Sequence, residues 1–342
     1  MGCSCPLLPG EMLYNPTTHP NSIPLQDTMP DKTLVILNPN ADVGHAWRRI
    51  ADLRPLAEEL TDGRLDWAGT VYPTHATRLA MQAAEQGYGR VIAVGGDGTV
   101  HEVANGLLRL PPEARPVLGV VPLGSGNDFA HAIGLPPDPH KALEIALTAP
   151  PRPVDVMRAE DEHGRVEFVD NTLGIGFDAI VTIRSHQLPV VRGFAMYLTA
   201  VLQTIAFDLH APHFRLEIDG QPRESELLML VIGNGPREGG GFLTTPAARP
   251  DDGRLNYLAV GRIPRLGMLG LVTKVMHGTH GSHPAVEMDD FRTLTLEADR
   301  PLQIHMDGEI FADFDTHVHH LKVEVVPQAL RVAAPPADGS PP

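Results

Sequence analysis

The stretch Val91-Ile92-Ala93-Val94-Gly95-Gly96-Asp97-Gly98-Thr99 reads as a buried strand that runs into a glycine-rich turn. A helix follows, because Val100, Val103, Ala104, Leu107 and Leu108 recur at the spacing of one helix face. Such a turn leaves backbone N–H groups unpaired at a helix N-terminus, where the dipole favours an anion. Glycines let the chain approach phosphate oxygens, and Asp97 can reach a magnesium ion or its water shell. Alone, Asp97-Gly98 would read more simply as a helix cap after a tight turn. The arrangement returns, however, at Val120-Val121-Pro122-Leu123-Gly124-Ser125-Gly126-Asn127-Asp128-Phe129, with Ser125 placed to donate to phosphate. Ligands of an open parallel sheet bind at the carboxyl ends of its strands, so both turns are expected to face one nucleotide. No G-x-x-x-x-G-K-[ST] motif is present, which excludes an ordinary P-loop, and the turn is not G-x-G-x-x-G.

Outward from this stretch, short apolar runs at 34–37, 65–71, 90–94 and 117–121 alternate with helical periodicity. Trp47, Ile50, Leu53, Leu56 and Leu60 mark one helix face, and Leu79, Ala83 and Ala84 another. The expectation is an α/β domain with a parallel sheet over residues 31–150. A proline-rich joint, Ala149-Pro150-Pro151-Arg152-Pro153, separates it from a β-rich domain over 151–333, whose last strands have the option of returning to the first sheet. Strands are expected there at 214–218, 227–232, 255–260, 291–296, 302–306 and 320–326, and helices at 193–209 and 266–277. Residues 1–30 and 334–342 read as disordered tails, and Met29 is an alternative start.

The 342 residues carry a formal net charge of -15, which argues against a broadly basic nucleic-acid surface. Cys3 and Cys5, the two cysteines, both lie at the extreme N-terminus and cannot staple a fold, which suits a reducing cytoplasm. Pro6 stands where a myristoylation motif needs Ser or Thr. The longest near-candidate for a membrane span, 194–207, is broken by Thr199, Gln203 and Thr204.

Gly95-Gly96-Asp97-Gly98-Thr99, then Glu102 and Asn105, then Pro122-x-Gly124-Ser125-x-Asn127-Asp128-Phe129, closely resemble the catalytic domain of the diacylglycerol/sphingosine kinase superfamily and its bacterial lipid kinases. Asn38-Pro39, Asn171 with Gly174-x-Gly176-Phe177-Asp178, Asn234-Gly235, Gly239 to Gly241, Asp252-Gly253 and Asp307-Gly308-Glu309 extend the likeness over nearly all of the chain after residue 31. The resemblance implies a phosphofructokinase-like α/β domain, a β-rich sandwich-like domain, and a cleft between them for ATP and Mg²⁺. It implies nucleotide contacts from Asn38, Pro39, Asn40, Thr70, Gly95 to Thr99, Glu102, Gly124, Ser125, Asn127 and Asp128. It further implies catalytic roles for Asp97, Asp307 and Glu309, leaving open which of the last two is the base, and a place for Asp178 near the substrate's polar head. A structural magnesium site is implied at the Asp252 carboxylate and the carbonyls of Arg249 and Arg254, although Asp252-Gly253 alone reads as a hairpin turn. Asp42 stands where the family usually has glycine, and a carboxylate there is expected to repel phosphates.

The expected reaction is γ-phosphoryl transfer to a lipid hydroxyl of a diacylglycerol, a sphingoid base or a related amphiphilic alcohol. The rivals are a soluble small-molecule or dinucleotide kinase and a nucleotide-binding regulator without catalysis. The partner is a lipid at a membrane surface, reached peripherally from the cytoplasm; a homodimer stays open. Arg184, His186 and Arg192 flank 194–198, and Arg262 and Arg265 precede Leu266, Met268, Leu269 and Leu271, so these two helices either border a lipid cleft or cover the β core. His277, His280 and His283, with His317, His319 and His320, read as surface histidines rather than metal ligands.

Overall fold

In the computed structural model of the chain, which describes residues 32–41, 46–188 and 194–336, strand β1 (Thr33–Leu37) is buried on both faces. This explains its near-continuous apolar sequence. It pairs in parallel with β2 (Leu65–Gly69) and β3 (Arg90–Gly95), and β3 pairs in parallel with β4 (Val117–Pro122). Side chains alternate across this sheet. Val35, Leu37, Ile92 and Val94 pack beneath helices α1 (Ala46–Thr61) and α5 (Pro139–Thr148). Leu34, Ile36, Val91 and Ala93 pack beneath α2 (His75–Glu85), α3 (Asp97–Leu108) and α4 (Asp128–Ala132).

The C-terminal half is β-rich. It comprises β5 (Pro151–Asp161), β6 (Val166–Val169), β7 (Thr172–Gly176), β8 (His213–Ile218), β9 (Gln221–Gly233), β10 (Leu255–Gly261), β11 (Val286–Phe291), β12 (Thr293–Ala298), β13 (Ile304–Met306), β14 (Glu309–Ala312) and β15 (His320–Ala333). Its core gathers Phe214, Leu230, Ile232, Tyr257, Phe291, Leu294, Leu296 and Leu321. Helices α6 (Phe177–His186), α7 (Phe194–Phe207) and α8 (Arg265–Met276) cover the outer face of β9 and β10 over a second cluster that includes Val201, Ile205, Met268 and Leu271.

Strand β15 joins the two halves. Its first part pairs with β12, nearly its whole length pairs with β5, and Val332 pairs in parallel with Leu118 of β4. Between Val326 and Leu330 the register shifts. There Gln328 takes a positive φ of 53° and donates its N–H to Asp155 Oδ1 at 2.8 Å.

Several local expectations are corrected. The proline-rich joint is the beginning of β5, with Pro151 and Pro153 paired to Ala333 and Arg331 of β15. The run 291–296 is two strands, because Asp219 Oδ1 accepts both the Arg292 and Thr293 N–H groups and turns the chain from β11 to β12. Strand β2 stops at Gly69, and β5, β6, β7, β14, α5, α6 and all of β11 before Phe291 have no counterpart among the expected elements. His280 is fully buried, its Nε2 facing the Thr244 carbonyl at 3.0 Å, and is no surface residue. Ala334 is buried against the first core. Residues 1–30, Asp42 and Arg192 lie outside the described residues.

Candidate active site

The carboxyl ends of β3 and β4 open into a cleft of about 1090 Å³ walled by both halves of the chain. Asn38, Asn40, Thr70, Gly96, Asp97, Gly98, Thr99, Glu102, Gly124 and Ser125 line it from the first domain. Met196, Asp307, Gly308 and Glu309 line it from the second. Ligand pockets commonly run from roughly 300 to 1,000 Å³, so a nucleoside triphosphate has room. Pro39, Gly95, Asn127 and Asp128 are not among the lining residues.

The two turns lean on each other: a Cβ on Gly124 would collide with the Cα of Gly96. No side chain caps α3 at Gly96. Asn127, at a φ of 52°, closes the second turn on itself, since its Oδ1 accepts from Gly124 N–H and its Nδ2 donates to the Gly124 carbonyl, both at 2.8 Å. It shapes the loop instead of facing a ligand. Asn38 likewise holds Thr99 Oγ1 at 3.2 Å while its Oδ1 accepts from Asn40 N–H. Glu102 accepts the Thr74 and Ala76 N–H groups at 2.8 and 3.0 Å, so the carboxylate serves the start of α2.

Asp97 Oδ1 accepts the Asp128 N–H at 2.7 Å. Its Oδ2 and an oxygen of Asp128 converge on Gly126, where a Cβ would meet them at 2.7 and 2.9 Å. Burial, and then the neighbouring Asp97, push the Asp128 carboxyl up to about 7. Burial also raises Asp97, with Asp307 adding to it. A buried and a half-buried carboxylate that repel each other beside a phosphate-sized turn are a donor set suited to a hard divalent cation. Arg237 reaches Asp128 from the second domain at 2.9 Å.

Asp307 sits at a φ of 52° in the β13–β14 turn. Its Oδ1 accepts the Asn171 and Thr172 N–H groups, both at 2.9 Å. Its Oδ2 accepts the Asp170 N–H at 3.0 Å and lies 2.8 Å from His101 Nδ1. Glu309, by contrast, is exposed and rests against Gly98, where a Cβ would collide with its Oε1.

Residues 32–159 match the model of the diacylglycerol kinase catalytic domain, and 171–334 that of the YegS C-terminal NAD kinase beta sandwich-like domain. A protein of Chromohalobacter salexigens named "Probable lipid kinase YegS-like" is 34% identical over 308 residues, covering 89% of this chain and 93% of that one. The chain belongs to the YegS-like lipid kinase family. A relative of the same name from Pseudomonas aeruginosa strain PAO1 is 36% identical over 76% of this chain and 81% of its own. The crystal structure of a diacylglycerol kinase from Bacillus anthracis, at 24% identity, shares the fold with a TM-score of 0.69 over 90% of this chain and 98% of that one.

Two further groups complete the site in this YegS-like chain. A side chamber of about 150 Å³ continues from the cleft past Ser125 and Gly126 to Thr172, Ser185, Glu238 and His305. Asp178, at the first turn of α6, turns its Oδ2 to His305 Nε2 at 2.7 Å, and Glu238 lies 3.8 Å from the same nitrogen. Gly308 N–H donates to His305 Nδ1 at 3.4 Å, which leaves the ring proton on Nε2 and turns it toward Asp178. Among the described residues this is the one His and carboxylate group tight enough to hold a metal, and it includes none of the six histidines singled out above. On its other side a small apolar pocket, lined by Phe177, Val181, Val201, Met229 and Met268, abuts Asp178 and Glu238.

The expected structural metal site lies apart from the cleft. Asp252 Oδ1 accepts the Arg254 N–H at 3.0 Å, the geometry of the simple turn. Beside it, Asp155 accepts the Gly253 N–H at 2.6 Å, and burial, then Asp155 and Asp251, raise the Asp252 carboxyl. Crowded carboxylates fit a cation there too. Sequence reading missed His101, Glu167, Asp170, Glu238, His305 and Asp155. The available signal was that Gly98, His101 and Asn105 share one face of α3 at three- and four-residue spacing.

Proposed function

We propose that this chain transfers the γ-phosphoryl group of ATP to the hydroxyl of a lipid-like amphiphile, with Mg²⁺ as cofactor. The observation behind the reading is that Glu309, the exposed carboxylate of the β13–β14 turn, shares one cleft with the glycine turns and Asp97, while Asp128 stands behind Asp97 in the adjoining side chamber. The backbone of residues 96–99 and 124–126 would cradle the phosphates, with the dipole of α3 favouring their charge. Asp97 and Asp128 would hold Mg²⁺, which when bound neutralises charge on the phosphates. Asp307 has both oxygens already engaged by the protein's own hydrogen bonds, whereas Glu309 is exposed in the cleft. Glu309 is therefore assigned as the group that takes the hydroxyl proton, within about 3 Å once substrate is bound.

The acceptor's polar head would lie in the side chamber near Asp178, Glu238 and His305, with its tail toward the apolar pocket. Supporting a membrane source, Phe207 and Leu266 are 69% and 82% exposed. Arg265 donates to the Ile205 carbonyl and brings the start of α8 to the end of α7. Among the described residues no helix is long and apolar enough to cross a bilayer, so access is peripheral in this reading, from the cytoplasmic side. The test is a screen of lipid classes in mixed micelles with γ-labelled ATP and Mg²⁺. Transfer of label to a lipid is expected; label only in a water-soluble acceptor, or ATP binding with no turnover on any class, would overturn the reading.

A further inference from the structure

His101 lies one turn into α3, 6% exposed, with both ring nitrogens facing carboxylates. Nδ1 is 2.8 Å from Asp307 Oδ2 and Nε2 is 3.2 Å from Glu167 Oε1. A neutral imidazole has one N–H and one bare nitrogen. Either tautomer would set a lone pair against an anion in a buried place, which is costly. The imidazolium donates to both.

The surroundings ask for that charge. Asp170 and Asp307 are buried and Asp97 is half-buried; desolvation is the main cause that raises the carboxyls of Asp97 and Asp170, and the charge of Asp307 adds to it in both. His101 is the cation that faces Asp307 and Asp170. Arg109 reaches only the far oxygen of Glu167, at 4.0 Å and at the surface edge. Asn105, the remaining polar neighbour on α3, is committed to β6, donating to the Phe168 carbonyl at 2.8 Å and accepting its N–H at 3.0 Å. Its Nδ2 is 3.4 Å from His101 Nε2. Burial alone would lower the imidazole's pKa, yet the bonds to Asp307 and Glu167 take it well above its ordinary range.

We propose that His101 is held as a buried imidazolium that locks the Asp307-Gly308-Glu309 turn of the second domain onto α3 of the first, and is thereby the positioning residue for Glu309. Three contacts on one face of α3 act together: Gly98 against Glu309, His101 between Asp307 and Glu167, and Asn105 on Phe168. The helix that starts at the phosphate turn thus also sets where the second domain's carboxylate stands. His101 touches no reacting atom in this scheme.

The kinetic part of the inference rests on the proposed phosphoryl transfer, and the spectroscopic part does not. In protein carrying ¹⁵N-labelled histidine, the His101 ring signals are assigned by their loss in His101→Gln. Both nitrogens are expected to be protonated at pH 7.5, with the titration midpoint above the ordinary value of about 6.5. A bare ring nitrogen at pH 7.5 overturns the proposal, whatever the enzyme's substrate. His101→Gln is expected to lower kcat at least about tenfold while KM for ATP stays within about twofold, the pattern of a mispositioned group. An unchanged kcat overturns the positioning role. Should that variant fail to fold, Glu167→Gln keeps His101 and Asp307 and is expected to bring the midpoint down. A midpoint that does not move would count against the bridge.

Discussion

Glu309 of the second domain rests directly on Gly98 of the first, its Oε1 occupying the space a side chain there would need. Gly98→Ala should therefore leave the helix intact, since alanine is a good helix former, while pushing the carboxylate away. The expected result is a fall in turnover of about a hundredfold with little change in melting temperature. Unimpaired turnover in this variant would remove Glu309 from the chemistry.

Asp97→Asn keeps the shape of the turn and its acceptor for the Asp128 N–H, but removes one charge from the cation site. Loss of turnover by about 10² to 10³ is expected, with far-ultraviolet circular dichroism and melting unchanged. A variant that retains near-normal turnover would contradict the assignment.

Asp128 makes the apo protein pH-sensitive. Its folded-state pKa of about 7 lies above the ordinary carboxyl value of 3.8, so between these limits the folded chain binds a proton that the unfolded chain has released. Stability is therefore full below the ordinary carboxyl range and falls as the pH rises toward and through about 7. In EDTA, melting temperature should drop by several degrees from pH 5 to 8 on account of this group, about the effect of 2 to 3 kcal/mol in a chain of this size. Asp128→Asn should flatten that slope, and an equally steep slope in the variant would point to other groups.

Asp252→Ala should reduce divalent-cation content outside the cleft and lower activity without touching the ATP site. Metal analysis after gel filtration and full kinetics decide this. Identical metal content would leave the Asp252-Gly253 segment as a turn held by Asp155.

Leu266→Asp changes a side chain that is 82% exposed, so the fold should tolerate it. If the corner of α7 and α8 meets the bilayer, sedimentation with lipid vesicles should weaken several-fold while turnover on a detergent-dispersed lipid is kept. Met196, which lines both the cleft and the side chamber, is unsuited to this test because its replacement would disturb both.

The parallel sheet was legible because β1, β3 and β4 are buried on both faces and so read as unbroken apolar runs. Strand β5 was hidden by its prolines, which local reading takes for a linker; only pairing with β15, more than 150 residues away in sequence, makes it a strand. The glycine turns were readable from composition and spacing. His101, Glu238 and His305 were not, since each acquires its meaning from partners brought in by β13 and the loop after β9. Likewise Glu102 and Asn127 lie near the motif but spend their polar atoms on the protein's own backbone, a distinction that no linear pattern records.

Strand β15 closes the sheet of the first half from the far end of the chain, with Val332 beside Leu118. On the ribosome, β4 emerges long before its neighbour exists. The early-made half must wait with an open sheet edge, a template for mispairing, until the final strand leaves the exit tunnel and docks. Stop codons that remove as few residues as 328–342 should thus yield aggregated product, even though every residue lining the nucleotide cleft has already been made.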